Sequence, residues 1–82
     1  MYTITFTKEA KKQLKKLDRF IQERIYSAIE KLRIRPGAHL KKLVGRSEYR
    51  LRVRNYRVIV DLVREELVIL VIKIGHRKNV YS

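Results

Sequence analysis

From Tyr2 to Phe6 the chain alternates threonine with apolar or aromatic side chains, and a period of two predicts a strand. The period then changes. Thr7 can cap a helix, with Glu9 near its positive N-terminal end. Ala10, Leu14 and Leu17 recur at helical spacing, while Lys8, Lys11, Lys12, Lys15 and Lys16 cover the rest of the surface. Asp18 can cap a second helix, whose stripe is Ile21, Ile25, Ala28, Ile29 and Leu32, and Pro36-Gly37 ends it. The very short connection predicts an antiparallel helical hairpin. His39 to Ser47 reads as a basic loop, with His39 a plain loop residue. From Glu48 the period of two returns: Tyr49, Leu51 and Val53 alternate with Arg50, Arg52 and Arg54. Asn55 suits a tight turn, Tyr56 to Val63 a second strand, and Arg64-Glu65-Glu66 another turn. Leu67 to Ile74 is apolar nearly throughout, which places it in the sheet centre. Gly75 breaks that strand and a short tail follows.

The order is β-α-α-β-β-β in a single domain over 1–82. This is an α+β class, with a two-helix hairpin packed on one face of a mostly antiparallel four-stranded sheet. The other face carries the arginines.

Charge sharpens this picture. Lys and Arg number 21 against 8 Asp and Glu, a formal net charge of +13. Ion-pair-rich surfaces raise both signs together, whereas an excess of one sign favours a polyanionic or acidic partner. An anionic membrane surface would also attract it, but no apolar run approaches the roughly 18 residues of a membrane helix. The absence of cysteine excludes disulfides and fits a cytoplasmic protein. The N-terminus lacks the layout of a signal peptide. Two histidines far apart make no metal site, and no paired-carboxylate, Ser-His-Asp or phosphate-loop pattern is present. No cofactor is implied.

Two constellations carry possible chemistry. A strand puts Arg50, Arg52 and Arg54 on one face, with Cα atoms about 6.6–6.8 Å apart, close to the phosphate spacing of an extended nucleotide chain. Arg57 adds a cation just past the turn. Like charges on one face repel, so a bound anion is the natural compensation; the alternative is the wet, charged face of an edge strand. The second constellation is Gly75-His76-Arg77-Lys78-Asn79-Val80-Tyr81, which gathers an imidazole, a guanidinium, an amine and a phenol. Tyr81 could stack on a base and Arg77 clamp a phosphate, or the tail could be a basic terminus with an aromatic anchor.

The stretch Tyr49-Arg50-Leu51-Arg52-Val53-Arg54-Asn55-Tyr56-Arg57-Val58-Ile59-Val60, with Val71-Ile72-Lys73-Ile74-Gly75-His76-Arg77-Lys78-Asn79-Val80-Tyr81, resembles the RelE/ParE toxin superfamily, in particular its RelE-like mRNA interferase branch. The resemblance spans nearly the whole chain. It implies the toxin of a type II toxin–antitoxin system: a metal-independent endoribonuclease that cleaves mRNA in the ribosomal A site by attack of the ribose 2′-OH. It also implies an acidic, RelB-like antitoxin as partner. Carried over, the catalytic positions are Arg50, Arg52, Arg57, Arg77 and Tyr81, with His76 a candidate for proton transfer. Lys41, Lys42, Arg46, Arg54 and Lys78 are candidate RNA contacts. The ParE branch, which inhibits DNA gyrase, and a non-catalytic nucleic-acid-binding protein are the alternatives. One departure stands out: Arg50 and Arg52 occupy positions where RelE toxins have lysines. Arginine hardly loses its proton, so Arg52 is a poor general base.

Overall fold

The computed structural model of the chain describes residues 1–76. Its elements are β1 (Thr3–Phe6), α1 (Lys8–Lys15), α2 (Arg19–Leu32), a 3₁₀ turn (Pro36–Ala38), β2 (Lys41–Lys42), β3 (Tyr49–Val53), β4 (Tyr56–Val63) and β5 (Val68–His76). The five strands lie in the order β1-β5-β4-β3-β2. Only β1 and β5 run parallel; the other pairs are antiparallel. The α+β class and the two-helix layer agree with expectation. The expected basic loop, however, contributes β2, a two-residue edge strand, making the sheet five-stranded. The strand beginning near Leu67 is interior as expected, but the middle position belongs to β4.

Both helices start where the sequence signals them. The Thr7 hydroxyl accepts from the Ala10 N–H at 3.1 Å, and the Asp18 carboxylate accepts from the Phe20 N–H at 2.7 Å. Each bond satisfies a donor that the first helical turn leaves unpaired. Ala10, Leu14, Ile25, Ile29 and Leu32 form the buried helical stripe. They cover Leu51, Val53, Val58, Val60, Ile69, Val71 and Ile74 from the sheet. Leu32 ends α2, earlier than the expected stop, and Pro36 opens the separate 3₁₀ turn.

β5 is not a regular strand. Val60 pairs with Val71 but Ile59 pairs with Lys73, so Ile72 is an extra residue without a partner in β4. β1 reaches only as far as Val71 along the other edge of β5. Beyond that point α1 takes its place. The Thr7 hydroxyl, besides capping α1, donates to the Ile72 carbonyl at 2.9 Å, and the Ile74 N–H donates to Gln13 Oε1 at 2.6 Å. Backbone groups that would be orphaned at the bulge are thus bonded to side chains of the first helix and its N-cap.

Gln13→Ala leaves the Ile74 N–H without its acceptor in a half-buried site. Urea denaturation is expected to show a loss of about 1–3 kcal/mol. Lys12→Ala, on the exposed side of α1, should stay within about 0.5 kcal/mol of the parent. Equal effects of the two substitutions would refute the clamp.

Candidate nucleic-acid interface

Residues directly opposite in neighbouring strands point to the same face of a sheet. The register therefore sorts the side chains. Leu51, Val58 and Ile74 make one row, and Val53, Tyr56 and His76 another, both facing the helices. The open face carries different rows. Lys41, Arg50, Ile59 and Lys73 lie side by side across β2, β3, β4 and β5. Arg52, Arg57 and Gly75 form the next row. Five cations thus share one face, and two of them, Arg52 and Arg57, are directly opposed.

Ile59 shows how crowded this surface is. It is only 6% exposed yet lies outside the helix-side core cluster. Its register neighbours on that face are Arg50 and Lys73, both half-buried. Arg57 is also half-buried and its Nε is shielded from solvent. Gly75, its register partner, places no side chain on that face. The glycine does not break the strand as expected; β5 continues through it to His76. Arg50, Arg52 and Lys73 meet no carboxylate at ion-pair distance among the described residues; the pairs there are Arg19–Glu23 and Arg33–Glu30, on the helices.

Other sequence candidates fall elsewhere. Arg54 is not on the face of Arg50 and Arg52. The strand ends at Val53, and Arg54 occupies the turn at φ 54°, with its guanidinium 5.5 Å from the centroid of the Phe20 ring on α2. Arg24 stacks on the same ring at 4.9 Å. Alternation persisted in the sequence one residue past the point where the hairpin turns. Lys42 pairs with Tyr49 and so takes the opposite face from Lys41, while Arg46 is exposed in the loop joining β2 to β3. His76 ends β5 in register with Tyr56, and their rings meet edge-on at 5.6 Å. It belongs to the helix-side rows rather than to the arginine face. Arg77, Lys78 and Tyr81 lie outside the described residues. Tyr26 on α2 is 49% exposed and meets Phe6 edge-on at 5.9 Å.

Lys73 is the residue that sequence reasoning passed over. In an unbroken strand it would share a face with Ile69 and Val71, which point into the core. Its charge in an otherwise apolar run was the one available signal of a change of phase. Arg64, at the far end of β4, has its pKa raised from the ordinary arginine value, first by its side-chain hydrogen bond to Tyr49.

Comparisons with known proteins agree on one group. A family model described as the ParE toxin of the type II toxin–antitoxin system, parDE, matches residues 4–81. An Escherichia coli protein described as a RelE-like toxin is 29% identical over 81 residues, covering 95% of this chain and 85% of its own. The structure of the RelBE2 toxin–antitoxin complex from Mycobacterium tuberculosis aligns with a TM-score of 0.84 at 25% identity, over 93% of this chain and 98% of that one. The isolated E. coli RelE toxin aligns with a TM-score of 0.82 at 28% identity, over 100% of this chain and 93% of its own. The archaeal RelE–RelB complex from Pyrococcus horikoshii gives 0.81 at 26% identity, over 95% and 97%.

Replacing Arg52 by Thr removes a like-charge pair directly across two strands. Stability at low salt is expected to rise by roughly 0.2–1 kcal/mol, and the gain should shrink as added salt screens the pair. Denaturation at two ionic strengths measures this. A loss of stability that ignores salt would mean that the opposed arginines are not in conflict.

Proposed function

This chain belongs to the ParE toxin family of type II toxin–antitoxin systems, as a RelE-like member, and we propose that it is a metal-independent endoribonuclease that cuts mRNA, on the ribosome, from the open face of its sheet. The observation that carries the proposal is the convergence of Arg50, Arg52, Arg57 and Lys73 on one face without carboxylates to pair Arg50, Arg52 or Lys73. A gyrase-binding role has less support, because the relatives described above are RelE or RelE-like proteins.

In the proposed reaction the 2′-oxygen of a ribose attacks the adjacent phosphorus, the bond to the 5′-oxygen breaks, and the electron pair leaves with that oxygen. The products are a 2′,3′-cyclic phosphate, or its opened form, and a 5′-OH end. The nucleophile is part of the substrate, so the chemistry needs no metal. The protein must align the 2′-oxygen, offset charge on the phosphorane-like transition state and favour protonation of the leaving oxygen. Arg50 and Arg57 offset the charge, Arg77 serves the leaving group, and Tyr81 stacks on or orients the nucleotide. Arg52 holds phosphate rather than acting as base, because a guanidinium stays protonated. If an imidazole moves the proton, it is that of His76, which would have to act from the rim of the sheet.

The proposed partner is an acidic, RelB-like antitoxin, as in the complexes of the M. tuberculosis and P. horikoshii relatives. A cytoplasmic site of action follows from the proposed substrate. No helix among the described residues is long and apolar enough to cross a membrane.

A translation reaction with added protein, read for message cleavage sites with and without ribosomes, tests the proposal. Arg57→Ala is expected to slow cleavage by about 10²–10³, the effect of losing one charge-stabilising donor. Tyr81→Ala should lose far more cleavage than binding. Messages left intact under all conditions would refute the enzyme, and equal losses of cleavage and binding on Tyr81→Ala would favour a pure binding role. A pH–rate profile unchanged in His76→Ala would remove that residue from the mechanism.

A further inference from the structure

The open face has two transverse rows of cations, one through Arg52 and Arg57 and the other through Lys41, Arg50 and Lys73. Neighbouring rows are two residues apart along each strand, about 6.6–6.8 Å, which matches successive phosphates of an extended nucleotide chain. Within the second row, Arg50 and Lys73 flank Ile59 from either side, their Cα atoms two strand spacings or about 9.4–9.8 Å apart. Ile59, nearly buried, keeps the two cations apart: Arg50 is a diagonal neighbour of Arg57 and can share the phosphate that is cut, while Lys73 is left for the neighbouring one.

Lys73 is not simply a solvated lysine on a wet strand. It is half-buried, and it reaches this face only because the extra residue Ile72 shifts the phase of β5. That shift is held by the N-cap of α1 and one side chain of the helix, through the Thr7 hydroxyl on the Ile72 carbonyl and the Ile74 N–H on Gln13. A bulge with its own support re-aims a side chain, and such devices sit beside functional sites. We propose that Lys73 binds the phosphodiester next to the one that is cut, fixing the register of the RNA across the sheet, with Gln13 as a positioning residue acting through the bulge. This rests on the reading of the open face as an RNA site.

The test is a thermodynamic cycle read by affinity, not cleavage. The probe is a short fluorescent RNA, 2′-O-methylated throughout so that it lacks the nucleophile, with one neutral methylphosphonate moved along it linkage by linkage. It is presented free or on programmed ribosomes, whichever the wild-type protein binds. Lys73→Met should weaken binding to the unmodified probe roughly fivefold, as expected for one charge-assisted contact at a half-exposed site. The loss should be similar across sequences, with a salt slope shallower by about 0.7. At a single linkage, neutralising the phosphate should weaken the wild-type protein by a similar factor and leave Lys73→Met unaffected. Lys73→Arg should keep most of the affinity. Gln13→Leu, checked to be folded at the assay temperature, should lose affinity in the wild-type background but little in Lys73→Met. Additive losses at every linkage, or an unchanged affinity in Lys73→Met, would overturn the proposal. A protein that binds with this coupling but never cuts the unmethylated message would overturn the nuclease reading and leave Lys73 in place.

Discussion

The arrangement of the cationic face depends on how one strand is allowed to go out of phase. β5 must bury Ile69 and Val71 on one side of Ile72 and Ile74 on the other. Strict alternation would put Lys73 with the first two and expel Ile74. An unpaired ammonium would then face the helices, at a cost of several kcal/mol or of its charge, and a buried isoleucine would be lost. The extra residue at Ile72 resolves both conflicts, and Thr7 and Gln13 make it affordable by bonding the backbone groups beside it. The first helix therefore covers the core and, with its N-cap, also sets which side chains of β5 reach the open face.

This explains what could and could not be read from the residues. Helix starts were legible because Thr7 and Asp18 announce themselves locally, and the helical stripe from Ala10 to Leu32 was legible because its period is unambiguous. The rows through Arg50 and Arg52 followed from simple alternation. Three features were not legible. The bulge leaves a single local trace, the charge of Lys73 in an otherwise apolar run. Arg54 continues the alternation in sequence but belongs to a turn, because the two-residue connection between Val53 and Tyr56 takes it to φ 54°. Gly75 looked like a breaker, yet β5 continues through it, paired with Arg57 of β4. For the bulge and the glycine the partner is distant in sequence, Gln13 and Arg57; for Arg54 the local turn decides, and the Phe20 ring then lies 5.5 Å from its guanidinium.

The face also conflicts with its own folding. Arg52 and Arg57 are opposed across two strands, and Arg50 and Lys73 flank the same isoleucine. A small domain has little stability to lose, since a chain of this size buries only roughly 60–65% of its unfolded surface. The half-burial of Arg50 and Lys73 offsets part of the repulsion, because a long cationic side chain can lose apolar surface to the protein while its charge stays hydrated. An arriving anion would relieve the rest, so the unbound molecule already holds an electrostatic driving force for the RNA proposed as its substrate.

Charge alone does not select that substrate. Lysines of α1 and arginines of α2 and the hairpin turn make the helix side basic as well, and any polyanion is attracted to both sides. What distinguishes the open face is spacing: rows one phosphate apart, carrying guanidiniums that cannot shed charge. A disordered acidic segment of the proposed antitoxin can neutralise either side by adapting its shape, paying the cost of ordering as it binds. An RNA strand, whose charges recur at fixed intervals, gains most where the protein repeats the same interval. The step of two residues along a strand supplies that interval, and the phase shift at Ile72 extends the second row to three cations.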